Sequence, residues 1–221
     1  MGIFNIITSG LPVGIIFMLL GAWLIAIVFS IVAHEFAHAF TASKMGDPTA
    51  KLAGRMSLNP AKHLDPIGAI CLVVFGFGWA KGVPVNPNLF RNYKKGQVLV
   101  SLSGVLTNLI LGIIFTFLSA VSMLFDPNVL VLLFLQYLFM YLAVINYVLA
   151  IFNILPIYPL DGFSFLEAFL PYDNKFLNFM RKYGVIILLI LLVSGLISFL
   201  INGVLGFMFY DFRDLLFTMF K

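Results

Sequence analysis

Charged side chains are scarce in this sequence: they make up 10% of the 221 residues, whereas hydrophobic residues make up 62%. Soluble globular domains contain about 25% charged residues, so this composition excludes a soluble globular domain and indicates a membrane protein. The single cysteine, Cys71, excludes an intrachain disulfide. Acids and imidazoles are also rare, since the chain has only two glutamates, Glu35 and Glu167, and three histidines. Any cluster of these residues is therefore informative.

Long apolar segments account for most of the chain. A transmembrane helix needs about 20 apolar residues to cross a hydrocarbon core of about 30 Å. Four segments meet this length, at residues 11–44, 97–123, 129–155 and 184–202. We predict an all-α polytopic membrane protein with about four transmembrane helices, forming a single transmembrane domain over residues 1–221.

A shorter uncharged segment, residues 66–80, lies between the first two spans. It is short for a span, and its glycines Gly68, Gly76 and Gly78 lie among apolar residues. We predict a re-entrant loop or a β-hairpin at the membrane edge. A simple interfacial loop is the alternative.

Basic residues predict the orientation, because cytoplasmic loops are enriched in lysine and arginine. The connection at residues 124–128 has only Asp126, whereas the connections before and after it are basic. The basic residues in question are Lys44, Lys51, Arg55, Lys62, Lys81, Arg91, Lys94 and Lys95, then Lys175, Arg181 and Lys182. This distribution, rather than nucleic-acid binding, explains the net charge of +4.

The two ends of the chain are expected on the outside, opposite to the basic loops. The tail, residues 206–221, is predicted to be an amphipathic interfacial piece with Asp211, Arg213 and Asp214 on its polar side. No cleavable signal peptide is expected, since the first apolar segment lacks a basic region before it.

The sequence His34-Glu35-Phe36-Ala37-His38 follows twenty-three uncharged residues, Leu11 to Ala33. Ionisable groups inside a bilayer are costly and by default indicate a functional site. On a helix, residues i and i+4 share a face, so both imidazoles can bind one Zn²⁺ while Glu35 acts on water. A hydrogen-bonded histidine pair without metal is the alternative.

A third zinc ligand is expected from the third span, which returns to the cytoplasmic side. Pro156 and Pro159 break the helix there, and irregular backbone at membrane depth is tolerated only inside protein or beside a water-filled cavity. Asp161 follows and is the candidate ligand. Three alternatives stay open: Asp161-Gly162 as an ordinary turn, Glu167 as the ligand, and His63 as a third nitrogen ligand.

Asparagines are the other polar residues of note in the spans. Asn108 and Asn146 could simply hydrogen-bond neighbouring helices, which is the common use of such residues in lipid. Asn153 lies two turns before Asp161 and faces the same broken region, so a role in the site is favoured for it.

These motifs together resemble the site-2 protease family of zinc intramembrane metalloproteases. The resemblance is carried by HEFAH and FNILPIYPLDG, and is supported by GDPTAKLAGRMSLNPAKHLDPIGAI, FGWAKGVPVN and SLSGVLTN. It implies one zinc ion per chain, held by His34, His38 and Asp161. It also implies that Glu35 is the catalytic acid/base and that Asn153 binds and orients the substrate.

Two departures from the family pattern concern helix and loop geometry rather than the metal. Gly104 is followed by Val105 where the family often has proline, and Gly82 stands where many relatives have proline. The chain is similar to the compact form of the family, without PDZ or CBS domains.

The function predicted from these features is zinc-dependent endoproteolysis within or near transmembrane helices, as part of regulated intramembrane proteolysis. The expected partners are transmembrane-helix substrates, the lipid bilayer and a regulatory membrane protein, without nucleic acid. The expected location is a prokaryotic cell membrane, with the site toward the cytoplasm. The alternatives are another zinc membrane hydrolase of the prenyl-peptide processing type, which would need Glu167 as a ligand, and a non-catalytic metal-binding membrane protein.

Overall fold

The fold is helical throughout the described chain. A computed structural model describes residues 6–8, 10–75 and 78–220. The α-helices are α1 (Val13–Met45), α2 (Thr49–Leu52), α3 (Pro66–Phe75), α4 (Tyr93–Ser122), α5 (Leu130–Asn153), α6 (Asp161–Glu167), α7 (Lys175–Val193), α8 (Leu196–Leu205) and α9 (Phe212–Phe220). Short 3₁₀ turns lie at Pro60–Lys62 and Pro87–Leu89, and a π-helical turn lies at Gly206–Asp211.

Helix α1 carries the histidine motif and is 33 residues long. At about 1.5 Å per residue it extends about 50 Å, longer than a hydrocarbon core. It ends at Gly46, whose φ of 112° is left-handed, and the N–H of Asp47 closes the end by donating to the carbonyl of Ala42 at 2.9 Å. His38 therefore lies seven residues, or about 10 Å, from the end of the helix.

Helices α4 and α5 pack against each other and against α1, and these three helices form the centre of the molecule. Close approach is possible because glycines recur every eight residues along α4. A Cβ on Gly96 would overlap the ring of Phe90, and one on Gly112 would lie 2.7 Å from Cε1 of Tyr147. Gly112 therefore lets α4 and α5 approach closely, as is typical of packing in membranes, and Gly96 makes room for the loop that precedes α4.

Five helical segments of the described chain are long and apolar enough to cross a membrane, where the sequence predicted about four. They are Val13–Met45, Tyr93–Ser122, Leu130–Asn153, Lys175–Val193 and Leu196–Phe220. The first three agree with the predicted spans 11–44, 97–123 and 129–155 to within a few residues at each end. Hydrophobic helices of this number and length make the chain a multi-pass membrane protein.

The predicted fourth span, residues 184–202, is wrong because the chain changes direction inside it. Gly195 has a left-handed φ of 76°, which ends one helix at Val193 and lets another begin at Leu196. Side chains on both sides of this break, Leu188 and Ile197, pack in one cluster with Ile157 and Leu160. The break therefore lies against the irregular segment that precedes Asp161.

The tail is also different from the predicted interfacial piece. Residues 206–220 continue helix α8 through the π-helical turn into α9, and the result is one apolar helical segment, Leu196–Phe220. Phe209 is fully buried and clusters with Tyr147 and Ala143 of α5. Because its apolar side chains find partners on α5, the tail packs against the helical core.

The segment at residues 66–80 begins with helix α3, and residues 76 and 77 lie outside the described chain. No strand forms in residues 64–75 and 78–80, where Leu64 and Ala80 make one isolated antiparallel bridge. The β-hairpin is thus not seen in the described part, because Pro66–Phe75 hydrogen-bonds within a helix. A Cβ on Gly68 would lie 2.1 Å from the carbonyl oxygen of Trp79, so the ends of the segment meet closely.

Candidate metal centre

Three ligand atoms converge where α1 meets the start of α6. The Nε2 atoms of His34 and His38 lie 3.0 Å apart, as expected for two residues one helical turn apart. Oδ2 of Asp161 lies 3.2 Å from Nε2 of His34 and 3.1 Å from Nε2 of His38. Both imidazoles are buried, and Asp161 is partly buried. The structure thus brings together all three residues that the sequence predicted as ligands.

This triangle fits a zinc ion. Ligand atoms about 2.0–2.1 Å from a tetrahedral ion lie about 3.3 Å from one another, close to the observed separations of 3.0–3.2 Å. Two imidazoles and one carboxylate are also the ligand types of catalytic zinc sites, which use three protein ligands. The donor set and its dimensions both suit zinc.

Each imidazole also makes a hydrogen bond through its Nδ1, on the side of the ring away from the triangle. These bonds orient the histidines for metal binding. Nδ1 of His34 lies 2.5 Å from Oδ1 of Asn108, and Nδ1 of His38 lies 2.8 Å from the carbonyl oxygen of Val100. Both partners are acceptors, so each Nδ1 carries the hydrogen and donates it. Each Nε2 is then left with its lone pair directed at the centre of the triangle.

Gly104 lets helix α4 approach these rings. A Cβ at this position would lie 2.4 Å from Nε2 of His38 and 2.5 Å from Cε1 of His34. Real Cβ atoms essentially never make such short contacts, so any side chain here would displace the imidazoles. The arrangement of the two histidines therefore requires a residue without a side chain at position 104.

Gly104→Ala is expected to weaken zinc binding about ten- to hundredfold, since overpacking costs about 1–3 kcal/mol and here acts on two ligands. Zinc per chain after dialysis against a graded chelator measures this. Gly112→Ala is the matched control, because its Cβ would crowd Tyr147 to a similar degree without touching a ligand. Equal zinc loss in both variants would show a general packing defect instead.

The chain packs closely against itself on either side of Asp161, and this packing places Asp161 at the metal centre. The peptide from Ile154 to Leu160 is irregular, and Asp161 begins helix α6 directly after it. A Cβ on Gly162 would lie 2.1 Å from the carbonyl oxygen of Ile154, so the glycine is needed for packing. The ordinary Asp-Gly turn considered from the sequence is therefore not what forms here.

Glu35 lies between the two histidines in sequence and outside the triangle of ligand atoms. It is half-buried, and its Oε2 accepts a hydrogen bond of 2.8 Å from the backbone N–H of Val83. Its other oxygen has no hydrogen-bond partner among the described residues. One carboxylate oxygen is thus fixed by a hydrogen bond, and the other has no partner in the part of the chain that the structure describes.

The segment that presents Val83 is itself anchored at several points. The N–H of Lys81 donates to the carbonyl of His63 at 2.8 Å, and Arg55 donates to the carbonyl of Lys81. Further along, the N–H of Asn86 donates to Oδ2 of Asp47 at 2.7 Å. These bonds connect the segment to the C-terminal end of α1 and to the loop that follows it, and so hold Val83 beside Glu35.

Asp47 accepts hydrogen bonds at both of its carboxylate oxygens. Burial by itself raises the pKa of this carboxyl, but hydrogen bonds from Thr49 and from the backbone of Asn86 outweigh it. The net result is a pKa below the ordinary value for aspartate. Asp47 is therefore ionised at neutral pH, as an acceptor of several hydrogen bonds should be.

Two alternative ligands are placed elsewhere. Nε2 of His63 lies 2.6 Å from the carbonyl oxygen of Ser57, and the ring belongs to the loop that supports Lys81. Glu167 pairs with Arg181, with Oε1 at 2.8 Å from Nη2 and 3.1 Å from Nε. Neither residue is in the group that could hold a metal among the described residues.

Asn153 is the last residue of α5, and its side chain is half-buried. Its Nδ2 donates to the carbonyl of Leu149 on its own helix at 3.0 Å. Its Oδ1 makes no hydrogen bond to the described residues. A substrate-binding role for Asn153 stays a prediction.

Comparison with known proteins agrees with the metal centre. The chain is 40% identical to YwhC of Bacillus subtilis (strain 168) over 180 residues, covering 80% of this chain and 82% of YwhC. Residues 121–192 match the model of peptidase family M50. The chain belongs to this family. Rip2 of Mycobacterium tuberculosis (strain ATCC 25618 / H37Rv) is 29% identical over 201 residues, covering 89% of this chain and 74% of Rip2.

Both of these M50 relatives are named as zinc metalloproteases, and so is MJ0392 of Methanocaldococcus jannaschii. MJ0392 is 28% identical over 192 residues, which cover 85% of this chain and 47% of that protein. No solved structure shows a significant match to the chain. The M50 membership and the His-His-Asp cluster together make this protein a zinc metalloprotease with a multi-pass membrane fold.

The residues that support the ligands and Glu35 could not be identified from the sequence. Val100 and Val83 act through their backbone, so their side chains give no signal. In the sequence, Asn108 is recognisable only as a polar residue in a span. Its contact with His34 crosses 74 positions of sequence and depends on how α1 and α4 pack.

Proposed function

We propose that this M50 protein is an intramembrane endopeptidase that hydrolyses peptide bonds within or near transmembrane helices of membrane proteins. The observation that carries the proposal is the position of the metal centre. His34 and His38 belong to the apolar helix α1, about 10 Å or more from its end, and the third ligand comes from the segment after another apolar helix. A substrate must reach a site among membrane helices.

The roles of the residues follow from their contacts. His34, His38 and Asp161 would hold the zinc ion, which when bound would polarise the scissile carbonyl and make water more acidic. Glu35 takes a proton from the attacking water and delivers it to the leaving amine. The bond from Val83 holds one oxygen of Glu35, and the other oxygen, which has no partner among the described residues, is proposed to take the proton.

The substrate must present an extended peptide to these groups. A helical substrate uses its carbonyls in hydrogen bonds within the helix, so it has to unwind locally before attack. Asn153, at the end of α5, is proposed to hydrogen-bond the unwound peptide through its amide. A regulatory membrane protein would be a further partner, consistent with a role in regulated intramembrane proteolysis.

The proposed location is the cell membrane, with the site toward the cytoplasm. The support is the concentration of lysine and arginine in the connections between α1 and α4 and between α5 and α7, whereas the α4–α5 connection has none. The C-terminal end of α1 faces the first of these basic connections. The ligands therefore lie nearer to the face where the basic residues are.

Another zinc hydrolase that uses Glu167 as ligand is disfavoured by the ion pair between Glu167 and Arg181. Extracting this carboxylate would leave the charge of Arg181 without its partner. Intramembrane endoproteolysis is the function that the geometry supports best.

The function is tested by co-expressing the protein with a panel of single-span membrane proteins tagged at both ends. We expect at least one of them to yield two fragments with the wild type and none with Glu35→Gln. Epitope tags on each fragment report on which side the cut lies, and the proposed orientation predicts a cut in the cytoplasmic half of the span. A panel broad in sequence that stays intact throughout would argue against this proposal.

Asn153→Ala is expected to retain zinc and to cleave about ten- to hundredfold more slowly. The reason is the loss of one hydrogen bond to substrate in an organised site, worth about 1–3 kcal/mol. Initial rates at saturating substrate measure the effect. Asn178→Ala is a suitable control, because the amide of Asn178 also donates to a backbone carbonyl but lies on α7. Normal cleavage by Asn153→Ala would make Asn153 a structural residue.

A further inference from the structure

A continuous chain of buried amides lies behind His34. Asn108 places Oδ1 at 2.5 Å from Nδ1 of His34, and its Nδ2 donates to Oδ1 of Asn146 at 2.7 Å. Nδ2 of Asn146 in turn donates to Oγ of Ser30 at 2.8 Å and to the carbonyl of Leu142 at 2.7 Å. Ser30, Asn108 and Asn146 have no exposed surface. The chain connects α1, α4 and α5.

The direction of every hydrogen bond in this chain is determined from its far end. The carbonyl of Leu142 can only accept, so Asn146 must turn its NH₂ toward it and its oxygen toward Asn108. Asn108 must then offer its NH₂ to that oxygen, which directs its own oxygen at His34. An oxygen at this place requires a hydrogen on Nδ1 of His34 and leaves Nε2 free for a metal.

We propose that Asn146 is a positioning residue for the metal centre. It touches no ligand, but through Asn108 it selects the tautomer and the ring orientation of His34. The inference rests on the proposed function only in taking His34 as a zinc ligand. The side-chain amides of Asn108 and Asn146 then contribute to metal affinity as well as to helix packing.

Helix packing alone would predict a different pattern of effects. If the amides only join helices, their loss should lower stability as much as the loss of any other buried bond between α4 and α5. Thr116 supplies such a bond, since its fully buried hydroxyl lies 3.2 Å from the hydroxyl of Tyr147 and outside the chain that leads to His34. Thr116→Val is therefore a matched control.

The test is zinc affinity of the purified full-length protein in detergent, measured by competition with a chromogenic chelator. Thermal unfolding of the metal-free protein is measured in parallel. Substitutions behind a metal-binding histidine typically weaken binding ten- to hundredfold. We expect about this loss in Asn146→Leu and in Asn108→Leu, and less than about threefold change in Thr116→Val at a similar loss of thermal stability.

Asn108→Asp tests whether an acceptor at position 108 restores the zinc affinity that Asn108→Leu loses. It keeps an acceptor for Nδ1 of His34, so it should bind zinc at least tenfold more tightly than Asn108→Leu. If Asn146→Leu does not fold, Asn146→Ser is measured instead, because its short hydroxyl cannot reach Asn108 and Leu142 at once.

The proposal is overturned if the Asn146 variant binds zinc like the wild type, or if its loss of affinity equals that of Thr116→Val. It is also overturned if Asn108→Asp binds no better than Asn108→Leu. Because no substrate is present, failure here is distinct from failure of the proposed proteolysis. A protein that binds zinc as expected but cleaves no membrane protein would contradict only the latter.

Discussion

Glu35→Gln is expected to bind zinc like the wild type and to lose about 10²–10⁴-fold in turnover, the usual contribution of general acid–base catalysis. The substitution keeps the shape of the side chain and an oxygen that can accept the hydrogen bond from Val83. It removes the ability to take a proton at neutral pH. Initial cleavage rates measure the effect, and zinc per chain and thermal unfolding establish that the fold and the metal are retained.

Wild-type turnover by Glu35→Gln would contradict the assignment of Glu35 as the acid/base. If the variant lost both zinc and turnover, the assignment would also be contradicted, because Glu35 would then be needed for zinc binding. Only a variant that retains zinc and loses turnover would show that Glu35 acts in catalysis and not in metal binding.

Asp161→Ala is expected to lose zinc, with affinity reduced by more than about 100-fold. It removes one of three ligand atoms and leaves the two imidazoles alone in the site. The expected loss exceeds the ten- to hundredfold typical of outer partners of metal ligands, since a direct bond is removed. Zinc per chain by elemental analysis is the measurement.

Glu167→Ala is the matched comparison for Asp161→Ala, because Glu167 was the other acid considered as a ligand. It should retain zinc, although loss of its pair with Arg181 can lower stability. Zinc retained by the Asp161 variant and lost by the Glu167 variant would transfer the ligand role to Glu167.

The ligand residues could be predicted from sequence because their geometry is local or is set by membrane depth. His34 and His38 are one helical turn apart, and a helix of known rise fixes their distance. Asp161 follows a span that returns to the same depth, so its position could be inferred from the order of apolar segments. The structure brings these three atoms within 3.2 Å of one another.

The C-terminal helices could not be predicted in the same way. Hydropathy is nearly continuous through Gly195, and only the left-handed φ of this glycine separates α7 from α8. The polar residues Asp211, Arg213 and Asp214 suggested an interfacial tail. Burial of Phe209 against α5 depends on packing between distant segments, which local sequence does not encode.

The supporting contacts of the site were beyond sequence analysis for a related reason. Asn108 reaches His34 only because Gly104 allows α4 to approach α1 closely. Val83 contributes a backbone N–H that any residue except proline would have. Such contacts are properties of the assembled helices, whereas the ligand spacing is a property of one helix.

The proposed cleavage inside the membrane is tested by the position of the cut in a substrate. The purified protein is reconstituted in lipid vesicles with a single-span protein found to be cleaved in cells, and the fragments are analysed by mass spectrometry. We expect new termini within the apolar span of the substrate, produced by the wild type and absent with Glu35→Gln. Termini found only in the polar regions outside the span would contradict it.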